Sequence, residues 1–283
     1  MILITGATGT NGQELIRQLS KMGQKLRALV RDPSKADEIK GPNVEMVPGD
    51  FDHPETLDAA LKGVEKAFLL SPVDQRLGKW SRNFIEAAKR AGLKHLVKFS
   101  GMGSELTSAA ELLRMHAETD VVLRGSGVPF TILQPNSFFQ NMLYSAGTIK
   151  SQGKFYLPFK NAPQSLVDVR DINAVAAKVL TSSGHEGQTY TITGPAAITF
   201  KQVAEKMAAV LGRAVEYVDV PPSAASDSMR QMGMRAWDVT ALTDLYAYFA
   251  SGAAATVTDT VLRLLGRPAI SFEQFVKDHR AAF

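Results

Sequence analysis

The sequence predicts an α/β fold, a doubly wound parallel sheet with a smaller C-terminal α+β lobe. Three observations carry that prediction. The first is the run Met1-Ile2-Leu3-Ile4-Thr5, which leads into Gly6, Gly9 and Gly12 and then into Leu15, Ile16 and Leu19 at helical spacing. It reads as strand, tight turn and helix start. The second is the alternation of short apolar runs with helical patterns as far as Asn136, which calls for right-handed crossovers and a parallel sheet. The third is a change of texture past Phe138, where aromatic residues crowd a stretch rich in glycine and proline. The expected division is residues 1–137 for the sheet domain and 138–283 mainly for a second lobe, with some later segments returning to the first.

In chain order, a helix is expected over Gln13 to Met22, stopped by Gly23, and a second strand over Lys25 to Val30. Asp32-Pro33 then reads as a helix N-cap with proline in the first helical position. A short third strand, Val44 to Val47, ends in Gly49-Asp50-Phe51-Asp52, and Asp52 or His53 caps a helix opening at Pro54. Val64 to Leu70 is nearly all apolar, as suits a strand covered on both faces, and runs into Leu70-Ser71-Pro72. Helix Leu77 to Ala91 and strand Leu93 to Phe99 follow, then Ser100, a long helix Ala109 to Ser126, and strand Val128 to Leu133 delivering Gln134-Pro135-Asn136. Beyond these come Ser165 to Val167 in extended form, helix Asp171 to Leu180, a strand near Thr189 to Thr193, helix Phe200 to Leu211, a strand near Val215 to Val218, and helices to Phe283.

Bulk properties narrow the function. The 283 residues carry 32 Lys+Arg against 28 Asp+Glu, with no basic run and no nucleic-acid-binding motif, so direct contact with nucleic acid is not expected. Cysteine is absent, which excludes disulfides and thiolate chemistry and suits a reducing compartment. The five histidines show no ligand spacing, so no metal site is expected. No apolar run is long enough to span a membrane, and a cytoplasmic location is expected.

The glycine triplet between strand and helix is what a dinucleotide pyrophosphate requires. Backbone N–H groups can approach it closely, and the positive end of the helix dipole points at it. Arg31, at the end of the second strand, suits a 2′-phosphate, with Lys35 adding charge, so NADP(H) is favoured and NAD(H) is the alternative. Asp50 could accept from the adenine amino group with Phe51 near the ring, and Leu70-Ser71-Pro72 would wall the nucleotide.

The segments Gly6-Ala7-Thr8-Gly9-Thr10-Asn11-Gly12, Val30-Arg31-Asp32-Pro33, Gly49-Asp50-Phe51, Leu133-Gln134-Pro135-Asn136-Ser137-Phe138-Phe139-Gln140-Asn141, Val167 to Ile172 and Gly184 to Tyr190 together resemble the NmrA-like branch of the atypical short-chain dehydrogenase/reductases. Within it the chain is most similar to bacterial NADPH quinone reductases and triphenylmethane dye reductases. The resemblance implies a Rossmann-type domain with a small substrate lobe. Gly6, Thr8, Gly9, Thr10, Asn11 and Gly12 would hold the pyrophosphate, Arg31 the 2′-phosphate, Asp50 and Phe51 the adenine, and Pro135 and Asn136 would lie near the nicotinamide. Gln134 stands where related sequences often place arginine.

Ordinary short-chain dehydrogenases use Tyr-x-x-x-Lys on the helix before the sixth strand, and helix Ala109 to Ser126 has neither residue. The one Tyr-x-x-x-Lys, Tyr156 to Lys160, contains Pro158 and cannot be a helix face. Two catalytic candidates remain. His116 could face the nicotinamide and donate a proton or hydrogen bond, and Ser100 occupies the superfamily's Ser/Thr position. The expected activity is hydride transfer from NADPH to a small apolar or planar acceptor, a quinone or similar conjugated compound, without flavin. The alternative is an NADP(H)-binding redox sensor acting through a protein partner. A homodimer is also left open.

Overall fold

The computed structural model describes residues 1–283, with every side chain except that of Lys35. Seven strands form one all-parallel sheet: β1 Ile2–Ile4, β2 Leu26–Val30, β3 Val44–Pro48, β4 Lys66–Leu69, β5 His95–Phe99, β6 Phe130–Pro135 and β8 Gln188–Ile192. Their order is β3-β2-β1-β4-β5-β6-β8. The chain winds outward through β2 and β3 and then restarts on the other side of β1 at β4. The β1/β4 boundary is therefore the switch point, where open α/β sheets bind ligands at the carboxyl ends of their strands. Thr5 clips this boundary. Its Oγ1 donates to Leu70 O (3.1 Å) and accepts from Leu70 N (2.8 Å).

Helices α1 (Thr10–Lys21) and α6 (Val169–Thr181) cover one face through Leu15, Ile16, Leu19, Ile172, Val175 and Val179. Helices α2 (Pro54–Leu61), α3 (Leu77–Arg90) and α4 (Glu111–Gly125) cover the other through Leu57, Trp80, Phe84, Ile85 and Leu123. Burial on both faces explains why β4 and β5 read as apolar runs rather than alternating ones.

The later chain builds a second core of Phe139, Phe155, Phe159, Phe200, Phe272 and Phe275. It lies among α5 (Ala146–Gln152), the two-stranded parallel sheet of β7 (Lys154–Leu157) with β9 (Glu216–Asp219), α7 (Phe200–Leu211), α9 (Ala236–Ala250) and α11 (Phe272–Asp278), while α8 (Pro222–Gln231) packs on α9 and α10 (Thr260–Leu265) packs on α6 and β8 in the first core. Strand β8 instead closes the main sheet against β6.

Several boundaries move for local reasons. Helix α1 begins at Thr10, inside the glycine motif, because the Gly9 carbonyl already accepts from Gln13 N (2.9 Å). Strand β6 runs on to Pro135, which pairs with Ile192. A central strand tolerates proline there because Pro135 only has to accept, from Met102 N at 3.0 Å. His53 occupies the N-cap of α2 but makes no side-chain cap, and Asp52, the other candidate, is engaged by Arg76 and Lys79 instead. Asp32 caps a single 3-10 turn, Pro33–Lys35, in place of a longer helix.

Candidate functional site

The loop from Gly6 to Gly12 sits at the carboxyl end of β1, on the switch point. Its glycines have different jobs. Gly6 takes a φ of +61°, with Leu70 packed against its open side. A Cβ on Gly12 would lie 2.2 Å from Gly6 O and 2.6 Å from Ala7 Cα, so α1 can approach the loop only with glycine there. Gly9 is different. A Cβ on it would meet only Gly6 O, at 3.4 Å, and its backbone is extended. The protein's own packing does not require glycine at position 9. Gly9 is also the N-cap of α1 and supplies no side chain to the first-turn N–H groups. A bare helix N-terminus with exposed Thr8, Gly9 and Thr10 around it fits an anionic pyrophosphate. Asn11 is buried and accepts from Asn173 Nδ2 (3.0 Å), so its side chain ties α1 to α6.

Arg31 lies exposed at the end of β2, and among the described residues no side chain pairs with its guanidinium. Lys35's side chain lies outside the described residues. Asp50 Oδ1 accepts from Asp52 N (2.9 Å), and Thr56 Oγ1 accepts from Asp50 N (3.0 Å), which fixes the turn after β3. The Phe51 ring does not line the ligand edge. It is buried in the core beside Trp80 (centroids 6.1 Å apart) and Phe84. Ser71 is buried against Ser81 Oγ (3.0 Å), while Pro72 is exposed at the loop's outer side. Asn136 Nδ2 donates to Ser165 Oγ (2.7 Å) and Ala254 O (2.9 Å), and its Oδ1 accepts from Ser137 N. That amide is spent on joining the end of β6 to the second lobe.

Ser100, at the end of β5, donates to Asp120 Oδ2 at 2.8 Å. The other carboxylate oxygen of Asp120 accepts from Lys98 Nζ at 2.6 Å. Sequence reasoning passed over Lys98. The available signal was a lone charge inside the apolar run Leu96-Val97-Lys98-Phe99. His116 is one turn before Asp120 on α4, and its Nδ1 is buried without a partner among the described residues. Burial, helped by the nearby Lys98 charge, pushes its pKa down to about 3. The ring is therefore neutral near pH 7. It can offer a hydrogen bond but not an imidazolium proton.

The same shift has a stability consequence. With an ordinary value near 6.5 when unfolded and about 3 when folded, the unfolded state binds more protons between those values. His116's full contribution is present above pH 6.5 and is lost as pH falls below it, by about 2 kcal/mol between pH 7 and pH 5. Urea unfolding of wild type and His116→Gln at those two pH values should show a shallower acid loss in the variant. Buried His95 and His185 shift the same way and will leave some loss in place.

The second lobe closes over this edge by contacts remote in sequence. Arg235, at the start of α9, donates to Asp74 Oδ2 (2.7 Å) in the loop after β4. Arg76 binds the same carboxylate and reaches Asp52 at 2.9 Å, and it stacks over Trp80 at 4.4 Å. Arg76, then Arg235, hold the Asp74 carboxyl far below the usual carboxylate range. Trp237 Nε1 donates to Glu111 Oε1 on α4 (3.3 Å). The Tyr248 hydroxyl presses on Gly103, three residues beyond Ser100, where a Cβ would come within 2.0 Å of it. Among the aromatic and methionine residues of this lobe, Met229 and Phe249 are core and Met232 is exposed. The Tyr156/Lys160 pair lies on β7 and the turn after it, with Lys160 at φ +51°, and shares no helix.

The sheet order, the glycine loop at the switch point and the bare start of α1 define a dinucleotide-binding α/β protein of the Rossmann type. The chain belongs to the NmrA-like family, which matches residues 1–261. It is 40% identical to a protein of Xenophilus azovorans named NAD(P)H azoreductase, across 100% of this chain and 99% of that one. It is 30% identical to quinone oxidoreductase 2 of Escherichia coli, across 98% and 97% of the two chains. A solved structure of the Escherichia coli NADPH-dependent quinone oxidoreductase complexed with NADPH matches with a TM-score of 0.90 at 29% identity, covering 99% of this chain and 100% of that one. No helix among the described residues is long and apolar enough to cross a membrane.

Proposed function

We propose that this protein is an NADPH-dependent reductase that passes hydride directly to a small planar conjugated acceptor, an azo compound or a quinone. The observation that carries the reading is the match over the whole chain, from the glycine loop to the last helix, to a relative named as an NAD(P)H azoreductase. The loop geometry fits it. The Gly6–Gly12 turn and the first N–H groups of α1 would hold the pyrophosphate, Arg31 the 2′-phosphate, and Asp50 with the backbone of Phe51 the adenine edge. Leu70, Ser71 and Pro72 would wall the nucleotide, with Pro135 and Asn136 beyond it. The nicotinamide supplies the hydride. The chain itself supplies position and exclusion of water through α9 and the Asp74–Arg235 contact. No tyrosine–lysine pair stands on α4, which sets the reaction apart from ordinary alcohol oxidation. We take residues 1–137 as the cofactor domain and 138–283 as mainly the substrate lobe, with α6 and β8 returned to the first.

Anaerobic NADPH consumption with a panel of azo dyes and simple quinones tests this. Turnover is expected, and none across the panel would overturn it. Arg31→Ala should cut the preference for NADPH over NADH in kcat/KM roughly 10- to 100-fold, the value of a lost charge-assisted contact. An unchanged ratio would remove Arg31 from the 2′-phosphate site.

A further inference from the structure

We propose that Lys98 and Asp120 are positioning residues that hold and resupply the proton Ser100 gives to the reduced acceptor. The inference rests on the reductase reading above and assigns the proton half of that reaction.

The geometry is an unbroken polar line through an otherwise apolar wall. Lys98 Nζ donates to Asp120 Oδ1 at 2.6 Å, Asp120 Oδ2 accepts from Ser100 Oγ at 2.8 Å, and Ser100 Oγ is 3.3 Å from Ser104 Oγ. Lys98 is 1% exposed, Ser100 2% and Asp120 5%, whereas Ser104 is half-buried at the outer end. The line therefore runs from inside the sheet to the carboxyl edge, where the acceptor would sit. Stability does not explain it, because a buried ion pair generally holds a fold no better than apolar residues of the same volume. Lys98's remaining neighbour, His116 O at 3.5 Å, adds only a weak contact, and His116 itself is neutral. Burial lowers the pKa of Lys98, which makes its proton easier to release.

The chemistry balances. An azo acceptor takes a hydride from NADPH at one nitrogen. The N=N π bond breaks, and its electron pair is left on the other nitrogen. That nitrogen takes the proton of the Ser100 hydroxyl. Ser100 regains one from the Asp120 side as Asp120 takes one from Lys98. The neutral amine then recovers its proton from solvent, passed back along Ser104, Ser100 and Asp120. A nitrogen anion is far more basic than the phenolate-like oxygen formed from a quinone, so the azo reaction needs the relay more.

The experiment compares azo and quinone turnover by the wild type, Ser100→Ala and the double variant K98M/D120L, which removes both charges together. NADPH binding, followed by nucleotide fluorescence, checks that each variant keeps its cofactor site. We expect kcat for the azo acceptor to fall about 100-fold in both variants while quinone turnover falls much less. Adding S100A to the double variant should cost nothing further, because the three residues act as one path. Equal losses with both acceptors would overturn the relay, as would an unchanged azo-to-quinone ratio. Absence of wild-type turnover with either acceptor would overturn the reductase reading and the relay together. Wild-type turnover with an unmoved ratio overturns the relay alone.

Discussion

Gly12→Ala should unfold or severely destabilise the protein, whereas Gly9→Ala should leave it folded but poor at holding NADPH. The two residues sit in one loop, and a motif-level reading treats them alike. The structure separates them. An alanine methyl at position 12 would lie 2.2 Å from Gly6 O, 2.6 Å from Ala7 Cα and 2.8 Å from Ala7 C. All three are backbone atoms, so no rotamer change relieves the clash, and α1 must lift off the loop that joins it to β1. That exceeds ordinary overpacking, and a loss above about 3 kcal/mol is expected. In a thermal melt this corresponds to roughly 6–12 °C for a chain of this size. At position 9 the methyl would meet only Gly6 O, at 3.4 Å, on a backbone with φ −82° that any residue adopts. The cost to the fold should stay under about 1 kcal/mol, reflecting the weaker N-cap. The methyl would occupy the space that lets a phosphate reach the first N–H groups of α1, so the Kd for NADPH should rise at least about tenfold. Melting curves and nucleotide titrations on the same two variants check both halves. A Gly9→Ala protein that bound NADPH normally would show that the pyrophosphate does not approach there.

This contrast also shows what could be read before the structure. Apolar runs alternating with helical spacing were enough for a parallel sheet, because burial on both faces leaves that periodicity in the residues themselves. The strand ends were legible too, and they placed Gly6, Arg31, Asp50, Ser100 and Pro135 along one edge. What each side chain does there depends on partners the local pattern does not encode. Phe51 follows a ligand-edge aspartate, yet its ring belongs to the core because Trp80 and Phe84 on α3 reach it first. Asn136 is placed near the nicotinamide by resemblance, and residues 29 and 118 positions away take its amide, which its own segment does not show. The closing contact between Asp74 and Arg235 spans 161 positions, and neither residue is unusual in its own segment. Lys98 is the exception, since a lysine in a doubly covered strand needs a partner. Only its spacing to Asp120 across a strand and a helix was hidden.

That pair carries the second large effect. Lys98→Met should destabilise the fold by about 3–5 kcal/mol, because it leaves Asp120 buried with Ser100 as its only remaining side-chain donor among the described residues. Asp120→Leu should cost less near neutral pH. Burial already lowers the pKa of Lys98, so an ammonium without its carboxylate can shed the proton and stay inside as a neutral amine. The two single variants should therefore respond differently to pH. Without Lys98 there is no buried lysine to titrate, so stability should not rise with pH near and above neutrality. Without Asp120, the unfolded lysine binds a proton that the folded one does not, so stability rises with pH up to the ordinary lysine value of 10.5. The double variant K98M/D120L should lose that slope and lie near wild-type stability, since removing a buried pair together leaves no uncompensated charge. Urea unfolding between pH 7.5 and 9 separates these cases and stays above the range in which His116 titrates. Parallel slopes in the two single variants would mean that the charges are not facing each other in a closed interior. A rise with pH in Asp120→Leu alone, together with a stable double variant, would show a buried ion pair that the fold does not need, which is the condition under which its chemistry at Ser100 can be tested cleanly.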